Sequence, residues 1–588
     1  MSSVVAALDE STSSNMIRGE NGRLQYSWSN DIKPSIVQLH FQLVRNNNIT
    51  SKKNISSTWF NTQANIFENI YTEVYFQDGI PFTQIQFNEA SDNEFKERKE
   101  ILVILHKLVA FTRDIISGKG EYVLAFAMVN RISKHNEFAA AELIRLFVND
   151  LTWCNETHPL GSWKDIKYMW NLFDWSIAME DFLIHLTNRQ LWLDHHNMVN
   201  NKPISLVSKW IPREKSKFKD LFYKLAEAYY PYTRFAKNSG TLVLAKKKSY
   251  TKYRQLISAL NKILDTTQIK QCSEKYSKID FKNVSAITHL KQKSAFLNVK
   301  KKADGSGMME RCTKEDRILC REKYKEYIDT LLKNKKNIKG KRVGIVDLVK
   351  AALVNNYLNN DDEKIITNSQ ASDIVDNIGS LDNLIAMVDT SGSMRGDPLH
   401  AAIGLGICIS EKSKIGKRIL SFDREPRWTN LENVEGFCNK VKTVSDSAWG
   451  MNTNFTNALT MILESCVKKN LTEEQVSNLV LVVLSDMQID SQGNEQLNEP
   501  MWNHIKTLYA THGYRFIPHI LFWNLRFTSG FPVSSEQKGA TMFSGFSPSL
   551  LNAFTENGIE AIKNSNPWNT LKELLDNDRY SSIENIEI

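Results

Sequence analysis

The stretch "LIAMVDTSGSM", residues 384–394, joins a short apolar run to a turn that is rich in oxygen-bearing side chains. Five apolar residues lead to Asp389, and Ser391 and Ser393 follow at alternate positions. A short apolar run bounded by a polar turn is typical of a buried strand. A second run, "NLVLVVLSD", ends in the same way at Asp486. The sequence therefore predicts two buried strands, each followed by a carboxylate.

Three further apolar runs of strand length surround these two, and helical stretches separate them. The runs are "KRILSF", "RFIPHILFWN" and "ATMFSGF", and the helical stretches are "PLHAAIGLGICISEKS", "FTNALTMILESCVKK" and "EPMWNHIKTLYATHG". Strands that alternate with helices predict a parallel, doubly wound α/β sheet of Rossmann-like type. Ligands of such sheets bind at the carboxyl ends of the strands, where Asp389 and Asp486 are expected to meet. Carboxylate and hydroxyl oxygens suit Mg²⁺ or Mn²⁺.

The turn also resembles a known metal-binding motif. "DTSGSM" is similar to the D-x-S-x-S metal-ion-dependent adhesion site (MIDAS) of von Willebrand factor A domains. In that family a Thr from a later loop and an Asp after a later strand complete the site, and "WGMNTNF" and "VVLSDMQID" resemble those two segments. The resemblance implies a magnesium site formed by Asp389, Ser391, Ser393, Thr453 and Asp486. Met487 departs from the family pattern, which has glycine there, and the residues alone also allow a plain polar turn or a helix cap.

Residues 31–380 show helical spacing of apolar residues instead. The clearest segments are "FKERKEILVILHKLVAFTRDI", "AAAELIRLFVNDL", "WKDIKYMWNLFDW", "FKDLFYKLAEAYY" and "CREKYKEYIDTLLKNKK". Successive amphipathic helices with short polar connections predict stacked helix pairs, a HEAT-like α-helical repeat. The predicted organisation is a disordered tail over 1–30, a helical module over 31–380, a von Willebrand A-like domain over 381–560 and a helical tail over 561–588.

Composition sets the class of protein. The chain has 588 residues, 42% of them hydrophobic, and a net charge of +8. No apolar run reaches the ~20 residues that a membrane-spanning helix needs, and no secretion signal is predicted. Seven scattered cysteines without a CxxC pair indicate a reducing compartment, so the expected location is the cytoplasm.

The positive charge is concentrated in residues 241–342, here called the basic segment. It holds 22 Lys and 5 Arg against 10 Asp and Glu, a net charge of +17. Lysines there alternate with tyrosines, a mixture that suits the phosphates and unpaired bases of single-stranded nucleic acid. The candidate nucleic-acid-binding residues are Lys246, Lys247, Lys248, Tyr250, Tyr253, Arg254, Lys300, Lys301 and Lys302. The alternative is a solvated lysine face over core aromatic residues.

A wider resemblance extends over roughly residues 35–560. "FTRDIISGKGE", "GSWKDIKYMW" and "ISLVSKWIPRE" look like parts of an uncharacterised family of plants and giant viruses that joins a TROVE-like helical module to a von Willebrand A domain. This layout is similar to that of the Ro autoantigen. The resemblance implies binding of small or single-stranded RNA, and a viral origin would imply packaging in a virion. The loop "RDIISGKGE" lacks phosphate-loop spacing and is interpreted as structural.

Three functions follow as hypotheses, none of them enzymatic, because Ser391 lies in no nucleophile elbow and no acid–base pair is evident. The first is an RNA-binding, ribonucleoprotein-like scaffold with a Mg²⁺ site. The second is an adaptor whose metal captures an acidic residue of a protein partner. The third is a viral structural protein without nucleic acid. The sequence does not determine the oligomeric state, nor whether the helical module closes into a ring.

Overall fold

A computed structural model describes most of the chain. The described residues are 16–20, 22–45, 58–77, 79–82, 92–148, 158–236, 240–305, 307–423, 425–446, 454–488, 501–556 and 565–586. The chain is mostly helical, with a six-stranded mixed sheet in its C-terminal part. Across the described ranges, no helix combines the length and the apolar character that a bilayer crossing requires.

The N-terminal part consists of helices and three short hairpins. The helices are α1 Ile32–Gln42, α2 Thr58–Tyr75, α3 Asp92–Arg113, α4 Tyr122–Ile132, α5 Glu137–Val148, α6 Lys164–Leu172, α7 Ile177–Val199, α8 Val207–Trp210, α9 Lys219–Tyr229, α10 Thr233–Ala236, α11 Leu242–Leu264, α12 Thr267–Cys272, α13 Ala286–Phe296, α14 Glu315–Lys333, α15 Ile345–Tyr357 and α16 Asp361–Asp376. The hairpins pair β1 Met16–Arg18 with β2 Leu24–Tyr26, β3 Phe76–Gln77 with β4 Ile80–Pro81, and β5 Val299–Lys301 with β6 Met308–Glu310. All five predicted amphipathic segments are helical, because each buries one apolar stripe.

The C-terminal part, residues 381–556, is here called the α/β unit. Its strands are β7 Leu384–Asp389, β8 Arg418–Phe422, β9 Arg427–Asn430, β10 Val480–Ser485, β11 His519–Asn524 and β12 Ala540–Ser544. Its helices are α17 Asp397–Lys412, α18 Phe437–Asp446, α19 Phe455–Lys468, α20 Glu473–Ser477, α21 Met501–Thr511 and α22 Ala553–Glu556. All five predicted strands are present, and β7 and β10 are buried along their whole length.

The order of the sheet is β12-β11-β10-β7-β8-β9. The five predicted strands run parallel, whereas β9 pairs antiparallel with β8 at the edge. Strand β9, "RWTN", is mostly exposed and carries no apolar run, so periodicity cannot predict it. The sheet is therefore mixed, with a parallel centre that brings the ends of β7 and β10 together.

The helical module docks against the α/β unit at both of its ends. Helix α1 packs against β11 and β12, and α15 packs against α17 and α18. At the second contact, a Cβ on Gly404 would lie 2.3 Å from the Ile345 side chain, so the two helices require glycine to approach this closely. The two ends of the helical module are thus held by one unit.

The "RDIISGKGE" loop that follows α3 is structural, as the sequence indicates. Arg113 forms a buried ion pair with Asp165 at the start of α6, at 2.7 Å. Asp114 binds Arg579 in the C-terminal 3-10 helix, Asp578–Asn585, which follows α23, Pro567–Leu575. The C-terminal segment, predicted as a helical tail, therefore packs back onto the helical module.

Residues 16–20 and 22–30 are ordered, in contrast to the disordered tail predicted over 1–30, and residues 1–15 of that prediction lie outside the described residues. The hairpin β1–β2 lies against the α/β unit, where Tyr26 and Phe531 exchange two backbone hydrogen bonds of 3.0 Å. Gln25 is buried and donates from Nε2 to the carbonyl oxygen of Met487 at 3.0 Å. Contacts to residues more than 450 positions away order this segment, and local composition does not record them.

Candidate functional site

Asp389 and Asp486 lie at the same edge of the sheet, as the strand pattern predicts. Asp389 ends β7, and Asp486 immediately follows β10, its parallel neighbour. Both residues are fully buried. Two carboxylates buried side by side are unfavourable unless hydrogen bonds or positive charge compensate them. The surroundings of each carboxylate therefore determine what this edge can bind.

Hydrogen bonds from the turn hold Asp389 in place. Its Oδ1 accepts from the backbone N–H of Ser391 at 2.9 Å, and its Oδ2 accepts from the hydroxyl of Ser485 at 2.5 Å. The hydroxyl oxygens of Ser391 and Ser393 lie 3.0 Å apart. That spacing matches two adjacent oxygens in an octahedral shell of about 2.1 Å radius.

Asp486 has a cationic neighbour that the sequence does not reveal. The Nε of Arg526, two residues beyond β11, lies 3.0 Å from Asp486 Oδ2, and Arg526 also contacts Glu20 of the N-terminal hairpin at 3.0 Å. The N–H of Arg526 Nε does not point at Asp486 Oδ2, so the two groups form an ion pair but no hydrogen bond. The buried Oδ2 therefore accepts no hydrogen bond. One buried carboxylate oxygen therefore still has acceptor capacity.

The electrostatics favour additional positive charge at this edge. Burial raises the pKa of Asp389, and the negative charge of Asp486 raises it further. Burial also raises the pKa of Asp486, while the Arg526 guanidinium and the Ser393 hydroxyl act in the opposite direction. Arg526 supplies one positive charge for two carboxylates. A divalent cation would supply the remainder and favour the ionised form of both.

The residues present fit Mg²⁺ or Mn²⁺ in chemistry. Four of the five predicted ligands, Asp389, Ser391, Ser393 and Asp486, are brought together, and all are hard oxygen donors. Thr453 lies outside the described residues. In the part of the chain that the structure covers, no three His, Cys, Asp or Glu side chains are grouped as a metal site, so this edge would rely on its hydroxyls.

Met487 occupies the position where the resembled motif has glycine. Its φ is 62°, in the left-handed region that a non-glycine residue adopts only under strain. The Met487 N–H donates to the Ser485 hydroxyl at 3.0 Å, and Gln25 donates to its carbonyl. The turn therefore keeps a glycine-like conformation because flanking hydrogen bonds hold it there.

The nucleic-acid-binding candidates separate into buried and exposed groups. Tyr253 is completely buried, and its hydroxyl donates to Asn188 at 3.0 Å, so its prediction as a stacking residue is wrong. Its ring packs in the helical core because α11 turns that face toward α9. Half-buried Tyr250 donates from its hydroxyl to Glu227 at 2.5 Å. Tyr253 therefore offers no face for base stacking, and the partly exposed ring of Tyr250 packs against Tyr223 with ring centres 4.8 Å apart.

The basic candidates keep more exposure. Lys246 is partly buried and pairs with Glu227 at 3.1 Å, and Arg254 pairs with Glu214. The exposed candidates are Lys247, Lys248, Lys300, Lys301 and Lys302. These five lysines lie on α11 and on the hairpin β5–β6 and its turn. They are the predicted residues that an approaching polyanion can reach directly.

Two comparisons place the chain among known sequences. A family model described as a domain of unknown function, DUF7788, matches residues 383–585. The chain is also similar to an uncharacterized protein of Acanthamoeba polyphaga mimivirus, at 27% identity over 494 residues, which covers 80% of this chain and 78% of the viral protein. The family match contains the Asp389 site and the C-terminal segment, so both lie within one type of domain. The viral similarity agrees with the giant-virus resemblance.

Proposed function

We propose that this protein is a non-catalytic, ribonucleoprotein-like scaffold that holds single-stranded RNA. Its helical part would act as a TROVE-like, HEAT-like repeat module with a basic RNA-binding surface. Its α/β unit would act as a von Willebrand A-like domain that braces the two ends of this module. The resemblance of the sequence motifs supports this assignment, and so does the contact of α1 and α15 with the α/β unit.

The observation that carries the proposal is the exposed charge of the basic segment. Lys247, Lys248, Lys300, Lys301 and Lys302 are exposed, in a segment whose net charge is +17. The carboxylates of this segment are too few to neutralise it. Association with phosphates releases condensed counterions, and this release supplies most of the non-specific affinity of a basic surface.

Replacing Lys247, Lys248, Lys300 and Lys302 by glutamine is expected to weaken RNA binding and to flatten its dependence on salt. For single strands, each lysine–phosphate contact contributes about 0.7 to the slope of log affinity on log salt, so removal of four such contacts lowers the slope by roughly 3. Fluorescence anisotropy across a salt series measures the slope on a single-stranded oligomer. A duplex of the same length is expected to bind less well, because its bases are enclosed.

The control variant for this measurement removes four exposed lysines elsewhere. Lys99 on α3, Lys442 on α18, Lys468 at the end of α19 and Lys469 beside it are exposed and lie outside the basic segment. Their replacement by glutamine is expected to leave the slope within about 0.7 of the wild-type value. An unchanged slope in the first variant, or absence of RNA binding by the wild type at about 50 mM salt, contradicts the proposal.

A second candidate function, a metal-dependent protein adaptor, is favoured by one observation. Asp389 and Asp486 are buried together, and Asp486 Oδ2 accepts no hydrogen bond. Asp389, Ser391, Ser393 and Asp486 would hold the ion. Bound Mg²⁺ would neutralise the carboxylates and offer a coordination position to the carboxylate of an acidic partner.

Magnesium is expected to raise the melting temperature of the wild type but not of the Asp389→Asn variant. At a concentration about 100 times the dissociation constant, binding to the folded state contributes about 2.7 kcal/mol. Melting with millimolar Mg²⁺ or with EDTA measures the difference. Asp382→Asn is the matched control, since Asp382 is a carboxylate of the same unit that pairs with Lys414 at 2.6 Å. Equal shifts in all three proteins would exclude this site as their source.

A further inference from the structure

Four lysines and three aromatic rings form a compact cluster outside the basic segment. The lysines are Lys164 and Lys167 on α6, Lys209 on α8 and Lys217, and the rings are those of Tyr168, Trp210 and Phe218. The Nζ atoms of Lys167, Lys209 and Lys164 lie 4.7, 5.3 and 5.8 Å from the centre of the Trp210 ring. The rings of Tyr168 and Phe218 meet edge to face at 5.5 Å. We call this group the lysine–aromatic cluster.

The positive charge of the cluster is only partly balanced by nearby carboxylates. Within the described residues, none of its four lysines forms an ion pair with a carboxylate. Asp165 partly compensates the charge of Lys164, but it is itself paired with Arg113 at 2.7 Å. Burial lowers the pKa of Lys167 to about 8, and the charges of Lys164 and Lys217 act in the same direction. The ammonium groups therefore repel one another, and an anion between them would relieve that repulsion.

The rings explain only part of this arrangement. A single ammonium over an aromatic face is an ordinary stabilising contact of about 0.5–1 kcal/mol at an exposed site. Three ammonium groups around Trp210 share one ring, so mutual repulsion offsets part of that gain. Phosphate oxygens are stronger partners for lysine than a ring face, and long lysine side chains can move to meet them. Their movement would uncover more of the Trp210 ring, which is partly exposed, for a planar group.

The cluster also borders the basic segment. Asn261 on α11 donates to the carbonyl oxygen of Ser208 on α8 at 3.1 Å, so the two helices are in direct contact. Burial lowers the pKa of Lys164, and the positive charge of nearby Lys291 on α13 lowers it further, while Asp165 acts in the opposite direction. Lys291 is therefore the cation of the basic segment that adjoins the cluster, and a phosphate bound between Lys291 and Lys164 would join the two regions.

We propose that the lysine–aromatic cluster is a binding subsite for single-stranded nucleic acid, with phosphates held by its lysines and a base stacked on Trp210. This inference rests on the proposed RNA-binding function and names the part of the surface where a base is held. Three partly exposed rings lie together among ammonium groups here, whereas in the basic segment Tyr253 is buried and the hydroxyl of the partly exposed Tyr250 is bound to Glu227.

The test compares three variants in fluorescence anisotropy on a single-stranded RNA across a salt series. The first replaces the four cluster lysines by glutamine, the second is Trp210→Leu, and the third is the control variant at residues 99, 442, 468 and 469. The lysine variant is expected to bind at least about tenfold more weakly than the control, with a slope lower by about 2–3. Trp210→Leu is expected to bind about 5- to 150-fold more weakly with little change in slope.

Crosslinking supplies a readout that does not depend on affinity. RNA carrying 4-thiouridine is expected to crosslink to Trp210, Tyr168 or Phe218 in the wild type, as mapped by mass spectrometry. Circular dichroism melts confirm that each variant is folded. A further variant, Trp210→Phe, keeps an aromatic face and is expected to retain most of the RNA affinity that Trp210→Leu loses.

The outcomes separate this inference from the function on which it rests. If the wild type binds RNA but the cluster variant and the control variant lose the same amount of affinity, the subsite is wrong. The scaffold function is unaffected by that result. Absence of wild-type RNA binding overturns both. If polyglutamate of equal length competes as strongly as RNA, the cluster is an acidic-peptide site, and the nucleic-acid assignment is wrong.

Discussion

Replacing Asp114 by alanine is expected to destabilise the folded protein by about 3–5 kcal/mol, because it removes a buried carboxylate that is bonded to the Arg579 guanidinium and the Tyr580 hydroxyl. Asp114 is fully buried, and its two oxygens accept from Arg579 Nε at 2.8 Å and Nη2 at 2.9 Å. Its Oδ2 also accepts from the Tyr580 hydroxyl at 3.1 Å. The same side chain accepts hydrogen bonds from the backbone N–H groups of Ile116 and Ser117, so one carboxylate shapes the loop and anchors the C-terminal segment.

Chemical denaturation measures the destabilisation, and limited proteolysis shows where it acts. Cleavage is expected to begin within residues 577–586 in Asp114→Ala and not in the wild type. Glu584→Ala is the matched control, since Glu584 pairs with Lys107 at 2.6 Å but keeps 56% of its side chain exposed. Lys107 Nζ also lies 3.9 Å from Asp576 Oδ1, so Lys107 keeps a counter-charge when the half-exposed Glu584 is removed, and the expected cost is about 0–1 kcal/mol. Equal destabilisation in the two variants would show that Asp114 does not anchor this segment.

The sequence predicts the parts of this structure that are encoded locally. The five parallel strands and the amphipathic helices follow from apolar runs and periodicity, since a strand buried on both faces or a helix with one buried stripe leaves a pattern in neighbouring residues. Asp389 and Asp486 can be placed together because the carboxyl ends of adjacent parallel strands meet at one edge. These features depend on neighbouring residues and not on contacts between distant segments.

The remaining features depend on contacts between distant segments. Arg526 reaches Asp486 from the strand after the next helix, and Gln25 reaches Met487 across 462 positions. Neither contact leaves a periodic signal. Tyr253 is buried and Trp210 is partly exposed for the same reason, because burial of an aromatic ring depends on which helix packs over it. The segment "ISLVSKWIPRE" contributes to the family resemblance, but its letters do not show that Lys209 and Trp210 join lysines of α6 in one cluster.

The buried pair of Arg113 and Asp165 gives the second large effect. Asp165 Oδ2 accepts from Arg113 Nε at 2.8 Å and from the Ser162 N–H at 3.1 Å, and both side chains of the ion pair are nearly inaccessible. A Cβ on Gly161 would lie 2.1 Å from that oxygen, so the pair also fixes the choice of glycine there. Asp165→Ala is expected to cost about 3–5 kcal/mol, since it leaves the Arg113 guanidinium buried and unpaired.

Replacing both partners, as Arg113→Met with Asp165→Leu, is expected to recover most of that stability. Burial raises the pKa of Asp165 despite the opposing charge of Arg113. Because the pKa of Asp165 is higher in the folded than in the unfolded protein, ionising Asp165 lowers the free energy of unfolding. This destabilisation is fully present when the pH is above the folded-state pKa. The pair therefore adds little net stability at neutral pH, although each member requires the other. Urea denaturation of Arg113→Met, Asp165→Leu and the double variant measures this coupling. A double variant that is as unstable as either single variant would show that the pair is stabilising in its own right, and additive destabilisation would show that the two residues act independently.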